Sequence, residues 1–138
     1  LNAAVCMASL ERADEALKLL YRLSYQDADD LAVNRVLAWT LTLAGKYEQA
    51  GKLYCKILDT GHPQPADMLN YGYCLWLSRD IVTAIGMFRQ FMACTQNDGF
   101  NLYEELMGNE RRLLASKGIT DTEIRLMADA VMLEAGNG

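Results

Sequence analysis

The sequence predicts an all-α protein built from stacked helical hairpins, and three observations predict it. Ala16, Ala50 and Ala84 lie at intervals of 34 residues, and the large residues Leu20, Tyr54 and Phe88 keep the same step. That step also joins the small residues Ala4, Ala38 and Gly72 and the apolar residues Met7, Leu41 and Leu75. The 138-residue chain is 51% hydrophobic and 22% charged with only two prolines, which suits a helical core and not a disordered segment. A fixed period of this length marks a repeat in which one hairpin cannot cover its own apolar face, so that hairpins must stack.

The elements follow in order. Leu1 to Leu10 are almost all apolar or small and read as the latter part of a helix. After a turn at Glu11 to Ala13, a second helix runs from about Asp14 to Ser24, with Ala16, Leu19, Leu20 and Leu23 on one face. Asp27, Asp29 and Asp30 offer N-caps for a third helix that reaches about Ala44. Gly45 and Lys46 turn the chain, because glycine accepts the left-handed conformation that ends a helix. A helix from Tyr47 to about Asp59 follows, then a loop, Thr60 to Pro65, with Pro65 placed for the first turn of the next helix. Helices from about Ala66 to Leu77 and from about Ile81 to Cys94 make a further hairpin.

Beyond the connector Gln96 to Gly99 the register fails, since Leu106, Asn109, Thr122 and Arg125 stand where small, apolar and large residues would recur. A long helix from about Phe100 to Ser116, a stop at Gly118 and a last helix opened by Thr120 and Glu123 at capping-box spacing complete the chain. Ile124, Met127, Ala128 and Val131 give that last helix one apolar face, and the total is about eight helices.

Taken together, these residues resemble the tetratricopeptide repeat family. The best copy of its pattern is Ala38, Gly45-Lys46-Tyr47, Ala50 and Tyr54; the next is Gly72, Arg79-Asp80-Ile81, Ala84 and Phe88; the weakest is Ala4, Glu11-Arg12-Ala13, Ala16 and Leu20. The chain departs from the family at Asn34 and Met68, where a large aromatic is common. The resemblance implies one domain spanning 1–138: a right-handed α-solenoid with repeats at about 1–27, 28–61 and 62–95 and a divergent capping pair at about 100–135.

It also implies a concave groove lined by the first helices of successive hairpins. The inward positions fall on Arg35, Trp39 and Thr42, then on Asn70, Tyr73 and Leu77, with Tyr103, Met107 and Arg111 added by the long helix. Trp39 and Tyr73, in matching positions, should be neighbours, and Trp76 should pack between hairpins. The family's clamp for carboxylate tails would need cations at Leu1, Val5, Val36, Ala66 and Asn70, and none stands there.

The expected function is a protein–protein interaction scaffold that takes a peptide or partner helix in this groove. Two alternatives are a secretion-type chaperone of the kind that bacteria build from such repeats, and a self-associating or regulatory arm of a larger protein. A net charge of −5 argues against a nucleic-acid surface, which needs a concentrated basic face. No enzymatic motif stands out: His62 is the lone histidine and sits in a loop, Asp27-Ala28-Asp29-Asp30 lacks the glycine and distal glutamate of a calcium loop, and no cofactor or metal is expected. The four cysteines form no C-x-x-C pair, and Cys55 and Cys74 are expected at hairpin seams as small hydrophobes in a reducing, cytoplasmic setting. No signal peptide or membrane-spanning run is visible. The absence of an initiator methionine suggests a piece of a longer chain.

Overall fold

The computed structural model describes residues 13–60, 63–95, 108 and 111–137. The expected helix over Leu1 to Leu10, His62, Tyr103, Met107 and most of the long helix expected from Phe100 lie outside the described residues. Seven helices are described: α1 Ala13–Gln26, α2 Leu31–Leu43, α3 Tyr47–Leu58, α4 Pro65–Leu77, α5 Ile81–Thr95, α6 Arg111–Ser116 and α7 Asp121–Asn137. Among the described residues there is no strand, and the protein is all-α.

The period read from side chains is also the period of the backbone. Helices α1, α3 and α5 begin at residues 34 apart, and α2 and α4 both begin and end 34 apart. Their turns match as well. Gly45 and Arg79, again one step apart, both take the left-handed conformation, with φ of 81° and 72°. Each is the residue after a helix cap, where the next N–H reaches back: Lys46 N to Leu41 O at 2.8 Å and Asp80 N to Leu75 O at 2.9 Å. Gly118, φ 87°, ends α6 in the same way, with Ile119 N on Leu114 O at 2.9 Å.

The helix starts follow from local chemistry. Asp30 caps α2, its Oδ1 accepting from Val33 N at 3.2 Å. Pro65 opens α4 at a position whose N–H would have no helical partner, and Asp67 Oδ2 accepts from Gln64 N at 2.8 Å. At α7 the expected capping box is only half made. Thr120 Oγ1 accepts from Glu123 N at 3.1 Å, but the Glu123 carboxylate turns away to Trp76 Nε1 and Arg79 Nη1. Bonds from a guanidinium to a carboxylate outweigh one to a neutral backbone N–H.

Helices pack in chain order, α1 on α2, α2 on α3, α3 on α4 and α4 on α5, with α2 also meeting α4 and α7 closing on α5. Consecutive helices joined by a few residues and packed on each other form antiparallel pairs. Ala16, Ala50 and Ala84 are each 0% exposed, and Leu20, Tyr54 and Phe88 are buried beside them. Two clusters result: one joins α1 to α4 through Leu20, Leu37, Leu41 and Tyr54, the other joins α4 and α5 to Leu114, Ile119, Ile124 and Val131.

The tightest crossing lies at Gly72. A Cβ there would stand 2.6 Å from the Phe88 ring, which is itself buried and held edge-on by Tyr73 and Trp76. Gly86, on α5, has open space around its missing Cβ. The two glycines therefore respond oppositely to alanine. Gly86→Ala gains helix propensity and raises stability by ~0.5–1 kcal/mol. In Gly72→Ala the same gain is overturned by overpacking that costs ~1–3 kcal/mol. Denaturant midpoints of the two variants against the parent check both signs.

Candidate functional site: the aromatic face of α2 and α4

The expected groove positions on α2 are Arg35, Trp39 and Thr42, spaced four and three apart, so they share a helix face; Asn70, Tyr73 and Leu77 do the same on α4. The structure brings the matching pair together. The rings of Trp39 and Tyr73 lie 6.1 Å apart at 57°. Tyr73 then meets Phe88 edge-on at 5.6 Å, and Phe88 meets Trp76 edge-on at 6.5 Å. Such tilted contacts suit ring quadrupoles and each adds ~0.5–1.5 kcal/mol to plain burial.

Several expected wall residues are core instead. Tyr73 is 1% exposed, Leu77 is buried and Thr42 is fully buried with Oγ1 donating to Ala38 O at 2.9 Å. Tyr73, Trp76 and Leu77 share their cluster with Leu114, Ile119 and Ile124 of the chain's own C-terminal pair. Trp76 packs in that interface as expected, and its Nε1 donates to Glu123 at 3.1 Å. Lys117, in the turn between α6 and α7, donates to Leu43 O at the C-terminal end of α2, where the helix dipole favours a cation.

Arg35 is not a free cation on a wall. Its Nε and Nη2 donate to Asp67 Oδ1 and Oδ2 at 2.8 and 3.1 Å, a bidentate bridge from α2 to α4. Arg111 is also paired, its Nη2 donating to Asp121 Oδ2 at 2.6 Å. Trp39 and Asn70 remain half-buried. Sequence reading missed Asp67, Lys117 and Glu123. The Asp67 partnership carries a faint signal, since it joins two helices that the repeat makes neighbours, but the other two hold irregular turns that no period describes.

A second concavity lies between α3 and α4, lined by Tyr47, Gly51, Cys55, Tyr71, Cys74 and Leu75. Cys55 Sγ lies 3.4 Å from Tyr71 OH, and Cys74 Sγ donates to Tyr47 O at 3.6 Å. Cys74 is buried at this seam as expected, and Cys55 lies at the same seam but stays exposed. Burial pushes the Cys74 thiol above its ordinary range, and such a thiol is a poorer nucleophile at neutral pH. Tyr47 and Tyr54 are raised mainly by burial, and Tyr71 by burial and then by its bond with Cys55. Among the described residues no three His, Cys, Asp or Glu side chains converge to hold a metal ion, and no described helix is long and apolar enough to cross a membrane.

With this geometry in hand, comparison with protein-family models, with curated proteins and with solved structures finds no match to the chain.

Two outcomes follow from the charges. Arg35→Ala leaves the Asp67 carboxylate, 2% exposed, without its cation. Removing one partner of a fully buried pair costs ~3–5 kcal/mol; Arg35 keeps 24% exposure, which brings the expected loss to ~2–3 kcal/mol. Arg35→Ala combined with Asp67→Asn recovers part of it, read by denaturant melts of the three variants.

The buried phenols and the Cys74 thiol weaken the fold at alkaline pH. The phenols' native ionisation is raised above the ordinary value of 10.0, so the unfolded chain loses protons first as pH climbs. Stability from these groups is intact below that value and falls as pH rises past it, with Cys74 starting the decline from its own ordinary value of 9.0. Urea midpoints across this range give the slope, and Tyr54→Phe makes it shallower.

Proposed function

We propose that this chain is a protein–protein interaction module: a right-handed α-solenoid of tetratricopeptide-type hairpins that takes a peptide or partner helix on the face formed by α2 and α4. The reading rests most on one observation, the contact of Trp39 with Tyr73 across two helices whose bounds repeat at the same step. Trp39 is half-buried, with one side packed against the second cluster. An amphipathic ring fixed on one side and wet on the other binds with little loss of side-chain entropy, which is the usual character of an interface anchor.

A binding role fits the chemistry better than catalysis does. The clustered thiol and phenols between α3 and α4 are held neutral by burial and so are unsuited to activation at neutral pH. Exposed thiols at Cys55 and Cys94 fit a reducing, cytoplasmic setting. The partner class is a protein segment and not a nucleic acid, in keeping with the net charge of −5.

A peptide array probed with the parent and with Trp39→Ala tests the reading. Loss of an anchor of this type costs ~2 kcal/mol or more, so signals fall by more than roughly tenfold. Circular dichroism should report unchanged helix content, because the ring is only half-buried. Equal signals from both proteins would remove the α2–α4 face from consideration.

A further inference from the structure

We propose that the C-terminal pair α6–α7 is a displaceable occupant of the binding face, latched by Glu123, and that the partner is an amphipathic helix that imitates α7. This rests on the reading of the α2–α4 face as the interaction surface and names what competes for it. The C-terminal pair reaches both helices of the face: Glu123 takes the Trp76 indole of α4 and Lys117 donates to Leu43 O of α2. Leu114, Ile119 and Ile124 are buried in the same cluster as Tyr73 and Leu77, two positions that the repeat directs inward.

The latch is small and polar. One carboxylate oxygen of Glu123 accepts from both Trp76 Nε1 and Arg79 Nη1. The Arg79–Glu123 pair keeps side-chain exposures of 58% and 30%. Exposed ion pairs of this kind hold weakly and are screened by salt. Arg79 supplies its charge from a left-handed backbone that disfavours any side chain.

Packing points the same way. Among the described helices α7 packs extensively on α5 alone, whereas α3 and α5 each pack on two neighbours and α2 and α4 on three. An element with one described neighbour and an exposed latch opens at lower cost than α2 to α5. On opening it uncovers Trp76, Tyr73 and Leu77 as one apolar face next to Trp39.

The occupant's own pattern defines the partner's chemistry. In α7 Glu123 precedes Ile124, Met127, Ala128 and Val131, all buried, while Arg125, Leu126 and Asp129 point to solvent. A partner helix would carry a carboxylate in its first turn, placed for Trp76 and Arg79, followed by apolar residues at that three-and-four spacing. Displacement then exchanges one helix for another of the same kind, and the affinity seen is reduced by the fraction of chain that is closed.

The test uses the full chain and, as probe, a fluorescent peptide with the sequence Ile119 to Ala135. Glu123→Gln keeps the size of the side chain and removes its charge. The peptide, which brings its own Glu123, should bind Glu123→Gln about fivefold more tightly than the parent. Hydrogen exchange provides the second measurement: in the parent, α7 amides should exchange roughly tenfold or more faster than those of α3, and Glu123→Gln should speed α7 without moving α3. Equal peptide affinity for the two proteins, or α7 amides that exchange only with α3, would overturn the proposal. Either result leaves the Trp39 experiment standing, so failure of the latch is distinguishable from failure of the interaction face.

Discussion

The fold depends on how closely helix backbones approach at the small residues. Ala16, Ala50 and Ala84 have no exposed surface, and each lies near a large residue four positions on. A methyl group or a hydrogen sets the distance between helix axes, and the bulky residue then fills the volume that remains. Protein interiors are packed as densely as organic crystals, so this volume cannot be altered at one position without cost at its neighbours. Gly72 shows the limit, since the Phe88 ring occupies the space a Cβ would need. Ala38, one step earlier, is buried with a methyl group at the equivalent place, and Tyr54, one step before Phe88, stacks on Tyr71 at 5.4 Å.

Polar groups then fix what apolar packing leaves free. An apolar face can slide along another at little cost, but a bidentate bridge cannot. Arg35 and Asp67 join α2 to α4 with two bonds, and Asp67 also holds the backbone at Gln64, so one buried carboxylate sets both the start of α4 and its distance from α2. Asn34 acts in a similar way on the preceding loop: its Nδ2 donates to Ala28 O at 3.0 Å, and Lys56 reaches the same carbonyl from α3. Where the family resemblance would place a large aromatic, this chain ties down a loop by hydrogen bonds.

Helix bounds, the small-and-large register and the neighbouring of Trp39 and Tyr73 were legible in the sequence because each is a local or periodic property. Gly45 marks a helix end whatever lies around it, and Ala50 predicts Ala84 by repetition. The orientation of the last pair was not legible, because the period stops before it and its contacts are long-range. Glu123 meets residues 47 and 44 positions away, and Lys117 meets one 74 positions away. For that reason Tyr73 and Leu77 read as a wall and are core. The pairing of Arg35 is hidden for another reason: a lone cation on a helix face looks available until the acid that holds it is brought in by folding.

Arg79 brings these strands together. Gly45, its counterpart one step earlier, takes the left-handed turn with no strain, and glycine would serve at residue 79 as well. An arginine there costs ~1–2 kcal/mol of backbone strain. Its guanidinium is then carried by the turn between α4 and α5 to the start of α7, where it meets the carboxylate that also takes the Trp76 indole. Local stability at residue 79 is thus exchanged for a contact that the regular repeat cannot provide. The strain and the contact belong to one side chain, so loss of the Glu123 charge removes the benefit and leaves the cost. A turn built in this way favours the covered state only while its acidic partner stays in place.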